Sequence, residues 1–185
     1  YHVVQPFEYS HRLRENELEP NGQPETGFAE GQTIHSFAKG TCYELKINCI
    51  YDGHPGFAWA FRKDSFPGFY DKMIAGGADA FMAYAFFGKH FQPHLYKNEF
   101  LKSKEKYIEK VHKIINGKIG FIPGMILHLW HGERKNRHHE SRQHILKNLN
   151  YNSETDLKLN EYGCWEVNKE LDEKISNYFD SRKEE

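Results

Sequence analysis

No stretch of the 185 residues approaches the ~18 consecutive apolar side chains that a membrane-crossing helix requires. A basic-then-apolar leader ahead of a small-residue cleavage site is missing too, and the chain reads as soluble. Cysteine is scarce. Cys42, Cys49 and Cys164 are an odd number without C-x-x-C spacing, which argues against a disulfide framework or a structural zinc site and for a reducing compartment. Neither sign of charge is in excess, with 25 Lys and Arg against 26 Asp and Glu and a formal net charge of −1. Nothing global draws such a chain to nucleic acid or to an anionic membrane, so partners must be recognised by local features. No internal repeat is present, and the length suits one domain, residues 1–185, with a core of its own. The first residue is Tyr1, followed closely by apolar Val3 and Val4, so the native start is expected upstream.

What is abundant is histidine, 12 in all, and aromatic side chains at 15%, a composition that suits polar pockets in a globular fold. Residues 10–40 are polar and broken by Pro20, Asn21-Gly22, Pro24, Gly27 and Gly31, which predicts an irregular loop. The alternation in "TCYELKINCIY" predicts a short strand, and "GFAWAFRKDSF" a buried strand leading into a short helix. A helix is expected over Asp79 to Gly88, capped by Asp79, and a longer amphipathic one from Asn98 to Gly117. The apolar stripe of the latter comprises Phe100, Leu101, Lys104, Tyr107, Ile108, Val111, Ile114 and Ile115. Then come strand, turn at Pro123-Gly124 and strand in "KIGFIPGMILHLWH", a helix near Arg137 to Leu149, a loop, the strand "GCWEV" and a closing amphipathic helix with Leu171, Ile175, Tyr178 and Phe179. Strands alternating with helices predict a three-layer α/β or mixed α+β domain.

Three groups of residues carry candidate chemistry. His128 and His131 would share one face of a helix, but "GMILHLW" reads as a strand, on which residues three apart point oppositely. They can reach one metal only if the strand ends at about Trp130 and the chain turns; otherwise His128 is a core histidine and His131 a hydrogen bonder. "GERKNRHHESR" concentrates Arg134, Lys135, Arg137 and Arg142 after a glycine, either a phosphate-holding loop or a solvated basic face. In "MIAGGADAFM" two glycines permit close backbone approach, and Asp79 can cap a helix or act as a general base.

Taken in order, "GHPGFAWAFRKDSF", "GGADAFMAYAFFGK", "GFIPGMILHLWHGERKNRHHESRQHILKNLNYNSETDL" and "YGCWEV" resemble the C-terminal half of a bacterial and viral family of GT-A fold glycosyltransferases related to family 2, and more distantly metal-dependent galactosyltransferases. The resemblance runs from about Val3 to the C-terminus and is most specific between His54 and Asp156. It implies the acceptor-side, metal-closing half of an α/β GT-A domain, a mixed sheet flanked by helices, in a hexosyltransferase using Mn2+ or Mg2+. Its partners would be a nucleotide-sugar donor, a UDP-sugar favoured, and a hydroxyl acceptor, and its place the cytoplasm of a bacterium or of a virus-infected host.

By the same resemblance Asp79 takes the proton of the acceptor hydroxyl, His131 and His128 are metal ligands, and Arg134, Lys135 and Arg137 neutralise the departing diphosphate. Gly56, Gly76 and Gly77 would let sugar rings lie against backbone, and Trp59 would stack on a sugar or simply pack the core. Two departures stand out: no D-x-D motif occurs, so the metal carboxylates are expected on an upstream segment, and the paired acid of the family turn is Ala78-Asp79. Two other readings remain open on the residues themselves. One is a non-catalytic carbohydrate-binding or structural protein on half of this fold. The other is an unrelated metalloenzyme using His128, His131, His138, His139 and His144.

Overall fold

A computed structural model of the chain describes residues 1–22, 25–44, 53–91, 98–138 and 141–182, without the side chains of residues 41–44, 98, 134 and 143. The elements in chain order are β1 (Val3–Gln5), β2 (Tyr9–Arg12), β3 (Glu25–Thr26), β4 (Gln32–His35), α1 (Phe37–Glu44), β5 (Ala60–Phe61), α2 (Ala78–Ala85), α3 (Asn98–Ile115), β6 (Ile119–Phe121), β7 (Met125–His128), α4 (Arg142–Asn148), β8 (Leu157–Leu159), β9 (Trp165–Val167) and α5 (Lys169–Ser181). Short 3-10 turns cover Lys63–Ser65 and Arg134–Arg137. The domain is mixed α/β, with two mixed sheets flanked by helices and a separate β8-β9 hairpin.

The two mixed sheets share a spine. β1 runs parallel to β6 with Val3 opposite Ile119, and β2 runs parallel to β7 with Tyr9 opposite Met125 and Arg12 opposite His128, the same register on both sides of a break. The break falls where each strand carries a proline, Pro6 between β1 and β2 and Pro123 between β6 and β7, one register step apart, and neither can donate a backbone hydrogen bond. Flanking amides close the gap: Ile122 donates to the Gln5 carbonyl, and Glu8 and Tyr9 both donate to Gly124. β5 adds antiparallel to β1, and β4 antiparallel to β2 with β3 outside it.

The core lies between the sheets and α2, α3 and α5. α2 buries Phe81, Met82, Ala83, Tyr84 and Ala85, a helix apolar all round because it is enclosed. α3 buries Phe100, Lys104, Tyr107, Ile108, Val111 and Ile115 on the predicted stripe, while Ile114 is 38% exposed. Tyr70 fills the wedge between them, its ring 4.8 Å from Phe81 and 5.1 Å from Tyr107. Asn168 starts α5 by accepting a hydrogen bond from the Leu171 amide.

Several expectations are corrected. Residues 10–40 are not one irregular loop: β2, β3 and β4 form within them, because β2 and β4 gain their hydrogen bonds from distant partners that local polarity does not reveal. The predicted strand from Thr41 begins instead as the last turn of α1, which Ser36 opens by accepting from the Lys39 amide, and its remainder, residues 45–51, lies outside the described residues. Asp79 is not the cap of α2. Gly77 takes that position with φ of +85°, and Asp79 sits in the first turn. The helix predicted near Arg137 is delayed to Arg142 by the 3-10 turn, and β8 was not foreseen.

Candidate functional site

β7 ends at His128, earlier than the sequence pattern implies, and residues 129–131 lie outside the strand, with a bend at Gly132. The chain past the strand end escapes the opposite-face rule of a continuous strand, and the two imidazoles meet, Nε2 to Nε2 at 3.2 Å. Two ligands ~2.1 Å from one divalent ion at roughly 90–110° stand about 3.0–3.4 Å apart, so the pair fits a shared cation. Partial burial, reinforced by the charges of Arg12, His131 and Arg137, lowers the His128 pKa to about 4. His128 is therefore neutral at pH 7, the state in which imidazole ligates metal. Among the described residues no third histidine, cysteine or carboxylate completes a cluster with the pair.

A chain of contacts leads from this pair to Asp79. Phe57 stands 4.9 Å from His128 and stacks on His54 at 4.0 Å with an 18° tilt. His54 Nδ1 accepts from the Gly56 amide at 3.1 Å, and the Arg12 guanidinium lies 3.0 Å from His54 Nε2. Gly56 in turn lies under Asp79: a Cβ there would come within 2.8 Å of Asp79 Oδ2 and 3.0 Å of His54 Cε1. The glycine expected to admit a sugar ring thus leaves room for the carboxylate itself. Asp79 is exposed, at the N-terminal end of α2, where the helix dipole favours a negative charge.

Buried Gln5 fixes this arrangement from below. Its amide donates to the carbonyls of His54 and Gly56, and its oxygen accepts from the Ala38 amide at 2.8 Å. One side chain on β1 therefore ties the glycine-aromatic segment to α1. On the opposite side Gly76, with φ of +86°, lies beneath the Arg142 guanidinium; a Cβ would be 3.0 Å from Nη1. The Gly76-Gly77 turn is thus flanked by a base from α4 and an acid from α2.

The other predicted residues are placed differently. Arg137 is buried and donates from Nη2 to the Gly132 carbonyl at 3.1 Å, which holds the loop after His131 in shape. Lys135 pairs with Glu133 at 2.8 Å on the open surface. The Arg134 side chain lies outside the described atoms. Trp59 packs edge-on against Phe86 at 5.2 Å and donates to the Pro55 carbonyl, which is core packing. His138 and His144 are exposed, and His139 is outside the described residues.

Sequence reading missed Gln5, Arg12, His54 and Phe57 as site-building residues. Arg12 fell in the supposed loop, and only the pairing of β2 with β7 puts it beside His128. His54 and Phe57 lie inside the quoted "GHPGFAWAF" stretch, where the signal was present but was assigned to glycine and tryptophan. Compared with family models, curated proteins and solved structures, the chain matches none.

Proposed function

We propose that this domain is the acceptor-side, metal-closing half of a GT-A glycosyltransferase that moves a sugar from a nucleotide-sugar donor, a UDP-sugar favoured, to a hydroxyl acceptor. The observation that carries the reading is the meeting of His128 and His131 at 3.2 Å at a strand end, linked through Phe57 and Gly56 to an exposed carboxylate, Asp79.

A glycosyl transfer from a nucleoside diphosphate needs a proton acceptor for the incoming hydroxyl and positive charge for the departing group. Asp79 is the group for the first task, exposed and free of any cap duty. In this reading His128 and His131 hold Mn2+ or Mg2+, which when bound offsets the negative charge growing on the diphosphate. His128 serves this well because burial and Arg12 keep its ring unprotonated. Arg137 acts by shaping the Gly132 loop, leaving Lys135 and Arg142 as the bases within the described side chains that can face an anion. The remaining metal carboxylates belong, in this reading, to a segment carrying a D-x-D motif.

The test is calorimetric titration of the 185-residue chain with UDP, GDP and a non-nucleotide diphosphate, each with Mn2+ present. Binding of one nucleotide that is lost with EDTA and in His131→Ala is the expected result. Heat that is indifferent to metal and to His131 overturns the transferase reading.

A further inference from the structure

Phe57 is the one residue of the site whose backbone and side chain pull in different directions. Its φ of +71° lies in the left-handed region, which is costly for a bulky L-residue, and the ring is still 39% exposed. Deep burial is therefore not what holds it there. Glycine would occupy the same backbone without strain, and Gly56 immediately precedes it. Strain of this kind persists where the surroundings over-determine the conformation and is concentrated at functional sites.

The surroundings are specific. One face of the ring stacks on His54, which is itself held by the Gly56 amide and by Arg12. The His128 imidazole leans on the ring at 4.9 Å and 53°. Arg12 lies 5.9 Å from the ring centroid and sits opposite His128 in the β2-β7 ladder. Arg12, His54, Phe57 and His128 therefore close a ring of contacts with Phe57 in the middle. A flexible or smaller side chain at 57 would let the His128 ring turn away from His131, since β7 fixes its backbone but not its χ angles.

We infer that Phe57 is a positioning residue: its strained backbone drives the ring against His128 and holds the imidazole in the orientation that shares a divalent cation with His131. The inference rests on the metal role assigned to the histidine pair. Neighbours that orient a metal ligand typically change metal affinity about 10–100-fold when removed.

The test is an Mn2+ titration of the full chain, followed by paramagnetic broadening of the assigned His128 and His131 ring resonances. Folding of each variant is checked by the dispersion of its amide spectrum. In the wild type both rings should broaden together, and His131→Ala should abolish the effect at His128. Phe57→Leu and Phe57→Gly should each raise the half-broadening concentration about tenfold or more, and Phe57→Tyr should restore it to within about twofold. Wild-type affinity in folded Phe57→Leu or Phe57→Gly would reduce Phe57 to packing and leave the histidine pair standing. A Phe57→Tyr variant that folds but loses the cation as fully as Phe57→Gly would overturn the positioning role as well. Broadening that ignores His131→Ala would sink the metal reading and this inference together.

Discussion

Gly56 and Asp79 are in contact so close that a methyl group on the glycine would come within 2.8 Å of the carboxylate Oδ2. The acid turn and the glycine-aromatic segment, far apart in sequence, are therefore fitted to each other. Gly56→Ala should cost about 1–3 kcal/mol in urea denaturation. The cost should shrink by about 0.5 kcal/mol or more in an Asp79→Gly background, where the opposing carboxylate is gone. Strict additivity of the two substitutions would show that the contact carries no energy.

Asp79 also tests the chemistry. Asp79→Asn keeps the shape of the side chain and removes its basicity, so under the proposed transfer chemistry, in the complete protein carrying the D-x-D segment, turnover should fall by roughly 10²-fold or more while metal-dependent nucleotide binding is unchanged. An equally active variant would remove Asp79 from the mechanism.

Gln5 makes three hydrogen bonds from a fully buried position, to the His54 and Gly56 carbonyls and from the Ala38 amide. Gln5→Leu fills the space but removes all three hydrogen bonds, with the His54 carbonyl keeping its bond from the Phe37 amide, at an expected cost of about 1–3 kcal/mol in urea denaturation. A change below about 0.5 kcal/mol would mean those groups find other partners.

Lys104 supplies the pH dependence. Its side chain is 1% exposed on α3, the ammonium 4.7 Å from the Phe81 ring centroid and 5.8 Å from that of Phe100. Burial lowers its pKa to about 7. An unfolded lysine keeps its proton to about pH 10.4, so between the two values the unfolded state binds the extra proton and stability rises with pH. Below pH 7 both states are protonated and the cost of burying the charge is fully present. Lys104→Met should be the more stable protein at pH 6, and its advantage should fade by pH 10, a difference on the order of 4 kcal/mol across the window. Parallel stability curves for the two proteins between pH 6 and pH 10 would show that Lys104 does not titrate there.

The parts of the fold that could be read from sequence are those whose signal is local. α3 and α5 follow from apolar side chains at helical spacing, and the β6-turn-β7 unit from Pro123-Gly124 between two apolar runs. The region of residues 10–40 misled because β2 and β4 are defined by what they pair with. Nothing in "YSHR" or "QTIH" announces a strand until β7 lies alongside. The site divides in the same way. The histidine spacing and the double glycine were visible, and the condition that the strand must end before His131 could be stated in advance. Arg12, Gln5 and Phe57 were hidden because their roles depend on register, burial and a backbone angle, none of which a residue type encodes.

The twin proline breaks in the spine bear on how the chain acquires its shape. Both sheets depend on strands near the start, β1 and β2, pairing with β6 and β7 after most of the chain has intervened. Such non-local pairing must meet the loop-closure cost before any contact rewards it, the kind of search that slows folding. Because one register serves both sheets, a slip of one residue would misalign them together and separate Arg12 from His128. On the ribosome β2 and β1 meet β4 and β5 first, and their other edges wait until Ile119 to His128 has emerged. The histidine pair is then among the last features to form, and a chain halted before that point would present Phe7 and Leu13 to its neighbours in place of a finished site.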